Sequence, residues 1–508
     1  MKKTFLLALF VLLFASCSSD EKLVTNSLPN IGVNPNRLPP GKYTQSALEI
    51  PATVNDTYYL AAAPWANSSL VPYLWGFSDL EVVSRFPNLT LPAAEIVVAV
   101  IDTGVDKDHE DLAGRLWVNP REGSDALYNN FVDDDSDGFR DNFLGWDFVN
   151  NTNNPADDAG HGTHVAGTIA AIGNNSLGIV GVSPWVRIMA IKVCNESGSC
   201  RSSDIRAAIS FAASHGAKII NLSLGGLSRG SDAIAFDQVI TEATNAGVLV
   251  VAAAGNSTAD TALMTPANAT HSIAVAAHAN DGGICSFSNW GWKVDFSAPG
   301  CAVNEGREVA GVLSLNSRKC GQNADQYCSL RNLVGNAYTL KSGTSMATPH
   351  VAGLAAVAFT ASPTATPLQI RQALLRTSRA VSTGYKHVDF GAGKASSINL
   401  IDEARTAPGI KITSPFYGTS AESHAIGIRI EARDQPVEWT LKYKRSSDGE
   451  NLDVSDATTI ENGSAVLPSN AINHTVNWTP PASGDYIIVL EGRIGAELYY
   501  DTHMVNRP

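Results

Sequence analysis

The sequence predicts an α/β protein in which a doubly wound, mostly parallel sheet is followed by a small all-β sandwich. Between residues 95 and 360, uniformly apolar strand patterns alternate with helical patterns, and strands of that kind are covered by helices on both faces. After Thr406 the pattern changes to short, partly alternating strands separated by turn residues, which is typical of a β-sandwich. A chain of 508 residues is also too long for one ordinary domain. We therefore expect a large α/β unit and a smaller β unit.

The candidate elements of the α/β unit follow one another in order. Strand candidates lie at 95–102, 186–193, 217–224, 247–254, 271–277 and 309–315, and helix candidates lie at 161–172, 203–214, 232–246 and 344–360. Two more helical patterns fall between residues 363 and 402. In the β unit, strands are expected near 410–413, 426–430, 439–443 and 486–490. Because ligands bind at the carboxyl ends of the strands in such parallel sheets, residues that end a strand are the first candidates for a functional site.

The N-terminus has the layout of an export signal. Lys2 and Lys3 precede an apolar run that is too short to cross a bilayer stably. The run ends in the sequence FASC, which resembles a bacterial lipoprotein box and implies cleavage before Cys17 and lipidation of its thiol. The residues after Cys17 include no directly adjacent aspartate, a pattern that resembles outer-membrane lipoproteins. Simple cleavage near Ala15, with secretion of a free chain, is the alternative.

Charge and composition limit the partners that the chain can have. The net charge of −13 argues against nucleic acid as a partner, because phosphate binding requires clustered cations. Residues 18–48 are polar and contain four prolines, which predicts a flexible tether. The expected organisation is a signal peptide over 1–16, a tether over 17–49, a catalytic unit over 50–406 and the sandwich over 407–508. A monomer is expected.

Six cysteines remain when Cys17 is set aside. An even number in an exported chain predicts disulfides, although six cysteines allow 15 pairings. Proximity along the sequence favours Cys194–Cys200, Cys285–Cys301 and Cys320–Cys328. Their spacings do not suggest a zinc site.

Three stretches carry the chemistry. An apolar strand pattern ends in Asp102, His161 stands at a glycine-bounded helix start, and Ser345 stands at a second such start. Aspartate, histidine and serine are the components of a general base and its nucleophile, and a helix start offers free N–H groups to a developing oxyanion. Pro349 is expected in the first turn or so of the helix that contains Ser345, where its missing N–H group costs little. Taken alone, each stretch could be an ordinary strand end or helix cap.

Together, the motifs DTGVD, GHGTHVAGT and SGTSMATPHVAG resemble the subtilisin-like serine protease (subtilase) family over roughly residues 50–402. The resemblance implies that Asp102, His161 and Ser345 form a catalytic triad. His164, three residues after His161, shares a face of the same helix and is expected to be a buried structural partner. The resemblance also implies an oxyanion hole formed by Asn256 and the Ser345 N–H group. The walls of the substrate cleft would come from two short segments, Ser223, Leu224 and Gly225 in one and Ala253, Ala254 and Gly255 in the other.

A calcium site is expected in the acidic stretch 133–141. Asp133, Asp135 and Asp137, followed by Gly138, reproduce the first half of a calcium-binding loop. The glutamate that would close such a loop is absent, and Leu144 stands in its place. The candidate ligands of this loop are Asp133, Asp135, Asp137, Phe139 and Asp141, and by family resemblance Asp111 and Asn175 belong to a second site. The alternative is a solvated acidic loop.

The expected function is therefore a serine endopeptidase that acts on proteins and peptides, uses no catalytic cofactor and carries structural calcium. Small, uncharged cleft walls favour apolar or aromatic substrate residues. Two other functions are compatible with the same fold: an inactive adhesin that works through its sandwich, and transpeptidation through the same acyl-enzyme. A decayed enzyme would have lost Asp102, His161, Asn256 or Ser345, and all four are present.

Overall fold

The computed structural model describes most of the chain from residue 94 onward. The described residues are 56, 74–82, 92, 94–122, 129–228, 230–304, 307–309, 311–318, 333–334, 337–381, 386–415, 419–432, 435–446, 452, 457–465 and 471–508, with the backbone of residues 17 and 18. The predicted signal peptide, the side chain of Cys17, the remainder of the tether and the Cys320–Cys328 bridge lie outside this part.

A seven-stranded, entirely parallel sheet forms the centre of the larger unit. In chain order its strands are β1 (Val97–Asp102), β2 (Gly145–Asp147), β3 (Arg187–Lys192), β4 (Ile219–Leu222), β5 (Leu249–Ala253), β6 (Ser272–His278) and β7 (Phe296–Pro299). In space the order is β7-β6-β5-β4-β1-β3-β2. The predicted doubly wound fold is therefore confirmed, with β1 inside the sheet and its carboxyl end, Asp102, near the centre of one edge.

Helices cover both faces of the sheet, as the apolar strands require. The helices are α1 (Trp75–Leu80), α2 (His161–Ala170), α3 (Ser202–Ser214), α4 (Ser231–Asn245), α5 (Thr344–Ala361), α6 (Pro367–Thr377) and α7 (Leu400–Thr406). Alternate residues of β1 point to opposite faces: Val98 and Val100 belong to the core formed with α2 and α5, whereas Ala99 and Ile101 belong to the core formed with α3 and α4. The two buried faces fix the register of the strand.

One strand assignment from the sequence is wrong. The candidate at 309–315 does not join the central sheet; Val312–Leu315 forms a separate antiparallel sheet with Leu333–Val334 and Tyr338–Lys341. The apolar pattern identified a buried strand but not its partner, because period and hydrophobicity do not encode pairing. Strands β2 and β7 were missed because they are only three and four residues long.

Two strand-rich sheets form the C-terminal unit. One contains Gly409–Ser414, His424–Glu431 and Ile472–Trp478; the other contains Thr419–Ser420, Val437–Arg445, Thr458–Ala465, Gly484–Ile494 and Glu497–Arg507. Trp478 of the first sheet packs against Tyr443 and Tyr486 of the second, with ring centroids 4.8 and 5.5 Å apart. The sheets thus share an apolar core, as expected of a sandwich.

The C-terminal sheets dock on α6 through buried charges. Arg371 Nη2 lies 2.7 Å from Asp295 Oδ1, next to β7, and 2.8 Å from Asp501 Oδ1 in the C-terminal unit. Gln372 Nε2 donates to the carbonyl oxygens of Ile410 and Tyr500. Since one arginine binds carboxylates of both units, the sandwich is held against the α/β unit by paired groups that are costly to separate.

Two of the expected disulfides are present, and no membrane-crossing helix is seen in the described residues. Cys194 bonds to Cys200 and Cys285 bonds to Cys301. Within the same residues, no helix is both long and apolar enough to cross a bilayer.

Candidate active site

Asp102 and His161 form a hydrogen-bonded pair at the carboxyl end of β1. Asp102 Oδ1 accepts from His161 Nδ1 at 2.7 Å and from the Thr103 N–H group at 2.7 Å. With a proton on Nδ1, the imidazole presents its Nε2 lone pair as an acceptor. Asp102 is 1% exposed, so this carboxylate is shielded from water. The pair has the arrangement of a general base whose tautomer is fixed by a buried anion.

A close backbone contact brings the histidine to the strand end. Gly162, the second residue of α2, lies so near Gly104 that a Cβ atom on it would be 2.1 Å from the Gly104 carbonyl oxygen. Its N–H group also donates to Thr103 Oγ1 at 2.9 Å. Any side chain at position 162 would push α2 away from β1 and separate His161 from Asp102.

Asp157 is a positioning residue that the sequence analysis missed. Its carboxylate is fully buried and accepts from Thr103 Oγ1 at 2.8 Å, from Thr163 Oγ1 at 2.6 Å and from the Gly160 N–H group at 2.8 Å. It therefore ties the end of β1 to the first turn of α2. In the sequence Asp157 is one of two adjacent aspartates in the stretch PADDAG, and nothing local distinguishes it.

His164 has the structural role expected of it. The side chain is fully buried, and Nε2 lies 3.1 Å from the carbonyl oxygen of Val312. Burial holds the pKa of His164 well below its usual range. The imidazole is consequently neutral and links α2 to the antiparallel sheet beside it.

Ser345 is the second residue of α5 and lines the same cleft as Asp102 and His161. Its Oγ donates to the Ser223 carbonyl oxygen at 2.9 Å, and no hydrogen bond joins it to His161 among the described residues. A hydrogen bond from the hydroxyl to the imidazole would require Oγ to leave the Ser223 carbonyl oxygen. Catalytic hydrogen bonds are often incomplete without substrate.

Pro349 is the sixth residue of α5, just beyond the first turn, so its missing N–H group does affect the helix. Its missing N–H group leaves the Ser345 carbonyl oxygen without its helical partner. That oxygen instead accepts from Ser223 Oγ at 2.8 Å. Ser223 and Ser345 thus exchange two hydrogen bonds, which fix the backbone of Ser345 against the segment that follows β4.

Asn256 is oriented by its neighbour in α5. Its Oδ1 accepts from the Thr344 N–H group and from Thr344 Oγ1, both at 2.8 Å. The amide therefore has its Nδ2 donor group on the side away from Thr344. The Ser345 N–H group has no acceptor among the described residues. Two donors consequently remain available beside the Ser345 side chain, and two such donors are what an oxyanion hole requires.

The cleft is open to solvent, and the empty space in and at the mouth of it is about 630 Å³. Five of the six expected wall residues line it: Ser223, Leu224, Gly225, Ala253 and Gly255. Ala254 does not; it is fully buried in a separate cluster with Ala276 and Val294. The reason is the alternation of side chains along an extended segment. Met264, which was not predicted, adds an apolar wall.

The acidic stretch 133–141 brings carboxylates together, and one more carboxylate comes from a residue outside the stretch. Oxygen atoms of Asp133, Asp135 and Glu122 lie within 4.8 Å of one another. Glu122 is fully buried and its Oε2 has no hydrogen-bond partner. Burial raises the pKa of Glu122, and the neighbouring Asp135 and Asp134 carboxylates raise it further. Glu122 thus adds a carboxylate from outside the stretch 133–141, and loop spacing could not reveal this.

The other predicted loop ligands have separate contacts. Asp137 and Asp135 form a second group with His215, whose Nε2 lies 2.5 Å from Asp137 Oδ2. The Phe139 ring packs edge-on against Phe211 with centroids 4.9 Å apart. Asp141 accepts from the Phe131 N–H group at 3.1 Å and belongs to neither acidic group within the described residues.

Asp111 and Asn175 lie near a second carboxylate, that of Asp56. Asn175 Nδ2 donates to Asp111 Oδ1 at 2.7 Å, and Asp111 is fully buried. Asp56 accepts from the Asn174 N–H group at 2.8 Å, and its Oδ1 is buried without a partner. Burial raises the pKa of Asp111 to about 6, and the Asp56 charge adds to the rise. A cation between Asp56 and Asp111 would relieve this repulsion.

Comparisons with known proteins agree on one relationship. A family model described as the subtilase family (peptidase S8) matches residues 93–394. The thermophilic serine proteinase of Bacillus sp. (strain AK1) is 35% identical over 350 residues, which is 69% of each chain. Thermitase of Thermoactinomyces vulgaris is 33% identical over 303 residues, covering 60% of this chain and 84% of thermitase. The crystal structure of a lanthipeptide protease shares the fold, with a TM-score of 0.52, 23% identity and coverage of 65% of this chain and 94% of that one.

Proposed function

Because this chain belongs to the subtilase family of serine endopeptidases, we propose that it is an exported enzyme that cleaves polypeptides through an acyl-enzyme on Ser345. The observation that supports this proposal most strongly is the meeting of Asp102, His161, Ser345 and Asn256, which are far apart in sequence, around a single cleft. The amino-acid composition of a chain does not by itself place these four side chains around one cleft.

Each residue has a defined role in the proposed reaction. His161 Nε2 takes the proton of Ser345 Oγ as the hydroxyl attacks the carbonyl carbon, and later delivers it to the leaving amine. Asp102 keeps the proton on Nδ1 and stabilises the imidazolium. Asn256 Nδ2 and the Ser345 N–H group donate to the oxyanion. Water then attacks the acyl-enzyme by the same steps and releases the second product.

The substrate would lie extended along the cleft. Ser223–Gly225 continues from β4 and can pair with a peptide backbone as an added strand. Gly225, Ala253 and Gly255 are small, and Leu224 and Met264 are apolar, so the pocket suits an apolar or aromatic side chain. The preference follows from the absence of a charged group on this wall of the cleft, among the residues that the structure describes.

Casein digestion tests the proposed function. The wild-type enzyme should release peptides whose ends, mapped by mass spectrometry, show apolar or aromatic residues before the cut. A fluorophosphonate probe should label Ser345 and should block digestion. Labelling of another serine, or casein left intact by folded wild-type enzyme, would contradict the proposal.

Replacing Asn256 by alanine should lower kcat by about 10²–10³-fold and leave KM little changed, the size of effect found for the matching asparagine in subtilisin. The reason is that the amide donor acts on charge that develops only in the transition state. Steady-state kinetics on a peptide anilide would measure this. Asn256→Asp is the matched variant, since it keeps the acceptor for Thr344 but removes the donor, and it should lose at least as much. A kcat near wild type in Asn256→Ala would exclude Asn256 from the oxyanion hole.

We also propose that calcium is a structural cofactor at two places. At the first, Glu122, Asp133 and Asp135 offer oxygen ligands of the kind that calcium prefers, and Glu122 Oε2 and Asp135 Oδ1 are buried without hydrogen bonds. At the second, Asp56 and Asp111 offer a similar pair, with Asn175 beside them. The group of Asp135, Asp137 and His215 suits calcium less well, because Nε2 of His215 is paired with the Asp137 carboxylate.

Chelation should lower the melting temperature by several degrees, because a site at 100 times its Kd contributes about 2.7 kcal/mol. The effect should be larger at pH 8 than at pH 5. In the metal-free protein the pKa of Asp111 is raised to about 6, so the folded state binds the proton more tightly than the unfolded state, and stability falls as pH rises through that range. Differential scanning calorimetry with EGTA, with excess magnesium present throughout, measures this.

Two variants separate the sites. Glu122→Gln should reduce the calcium response of the first site, and Asp56→Asn that of the second, each leaving the other. A melting temperature that EGTA does not change at either pH would contradict both calcium sites.

We further propose the organisation that the sequence predicts. Residues 1–16 would be a signal peptide and Cys17 a lipid-modified residue, followed by a tether over 17–49, a catalytic unit over 50–406 and a sandwich over 407–508, in a monomeric enzyme at the outer membrane. Incorporation of labelled palmitate into wild type but not into Cys17→Ser would test the anchor. Equal recovery of both proteins in the culture medium would favour simple secretion.

A further inference from the structure

A lysine faces the active-site cleft. Lys341 ends the strand Tyr338–Lys341, four residues before Ser345, and lines the cavity that contains Asp102 and His161. Its backbone is held opposite Val312 in an antiparallel pair. The position of the side chain is therefore set by a strand rather than by a loose loop, and its stem is partly buried.

The ammonium group of Lys341 has no hydrogen bond or ion pair with any residue that the structure describes. The two carboxylates whose charges act on it are Asp157 and Asp102. Asp157 is occupied by Thr103 and by the first turn of α2, and Asp102 Oδ1 is occupied by His161. Burial lowers the pKa of Lys341, and these two carboxylates oppose the change. A partly desolvated cation without a direct partner is unfavourable unless a ligand supplies one.

The charges around Lys341 show on which side of the nucleophile it lies. Lys341 pairs with Val312, whose carbonyl oxygen lies 3.1 Å from Nε2 of His164 in α2, the helix that begins with His161. The two carboxylates that act on Lys341 are bonded to His161 and to the first turn of the same helix. The imidazole delivers its proton to the leaving amine, so the leaving half of the substrate must lie on that side. Gly225, Ala253 and Gly255 stand at or just after the ends of β4 and β5 and form a different wall of the cleft.

We propose that Lys341 selects substrates that carry an acidic side chain on the residue that follows the scissile bond. The carboxylate of that residue would pair with the ammonium group as the peptide enters and would replace the water that solvates it. This inference rests on the proposed peptidase function and adds to it a preference on the leaving-group side. The apolar pocket would then select the residue before the scissile bond, and Lys341 would select the residue after it.

Matched peptides test the preference. Three quenched fluorescent substrates would differ only in having Glu, Gln or Lys after the scissile bond, with the cut confirmed by mass spectrometry. For the wild type, kcat/KM should be about three- to tenfold higher for Glu than for Gln, the range of a charge-assisted contact at a partly buried site. Lys341→Met should bring the ratio near one, Lys341→Arg should restore it, and Lys341→Glu should favour the Lys peptide.

Ratios within one variant cancel differences in folding and enzyme concentration. Lys444→Met, which removes a lysine from the C-terminal sandwich, is the matched control and should keep the wild-type ratio. Equal rates for Glu and Gln in the wild type, or an unchanged ratio in Lys341→Met, would overturn the assignment of Lys341. A preference for Glu before the bond instead of after it would overturn the side. Failure of the wild type to cut casein or any of these peptides would overturn the proposed function itself, and this inference with it.

Discussion

Replacing Ser345 by alanine is expected to lower kcat by about 10⁶-fold, the order found for subtilisin itself. The hydroxyl is the only atom at this position that can form the acyl-enzyme, and the oxyanion donors and His161 cannot replace it. A residual rate of about 10³–10⁴-fold over water should remain, because the donors and the cleft still bind the transition state. Single-turnover hydrolysis of a peptide anilide, with enzyme in excess over substrate, measures this residual activity.

Ser342→Ala is the matched control for this variant. Ser342 lies three residues before the nucleophile, in the same turn, and its Oγ donates to the Val309 carbonyl oxygen outside the cleft. It should retain activity close to wild type. If Ser345→Ala kept more than about a hundredth of wild-type kcat in a preparation free of other proteases, the acyl-enzyme would have to form elsewhere.

Replacing Asp102 by asparagine is expected to lower kcat by about 10⁴-fold at neutral pH, as in other enzymes with this triad. Oδ1 accepts from both His161 Nδ1 and the Thr103 N–H group. An amide oxygen in that place loses the charge that stabilises the imidazolium, and an amide nitrogen there would meet two donors. The second orientation also forces the proton onto Nε2, where it blocks the acceptance of the serine proton.

Asp147→Asn is a matched control, because Asp147 is another buried aspartate that ends a strand of the same sheet. Its carboxylate bonds to Asn150 rather than to a group in the cleft. Activity near wild type is expected. Equal losses in the two variants would mean that the effect of Asp102→Asn comes from unfolding, and melting curves of both proteins would show it.

Much of the site could be predicted because its residues stand at recognisable ends of elements. Asp102 follows an apolar run, and His161 and Ser345 each follow a glycine at a helix start, so local patterns marked all three. Ala254 shows the limit of this reasoning. It lies between two residues that line the cleft, but the extended backbone directs its side chain into a buried cluster, so Ala254 does not line the cleft.

The sequence by itself determined the fold class and the elements that carry the proposed triad, since both depend on patterns of neighbouring residues. Proximity along the chain favoured the two disulfides seen in the described residues, but the structure decided the pairing. Only the tertiary structure showed which distant groups are neighbours. Glu122 lies by the acidic loop, Asp56 lies near Asp111, Asp157 binds the first turn of the helix that carries His161, and Lys341 lines the cleft. The structure also decided that the hydroxyl of Ser345 binds the Ser223 carbonyl oxygen in this state. The physical reason is that strand pairing and helix packing bring together residues tens to hundreds of positions apart, and a linear pattern contains no record of which buried charge will face which.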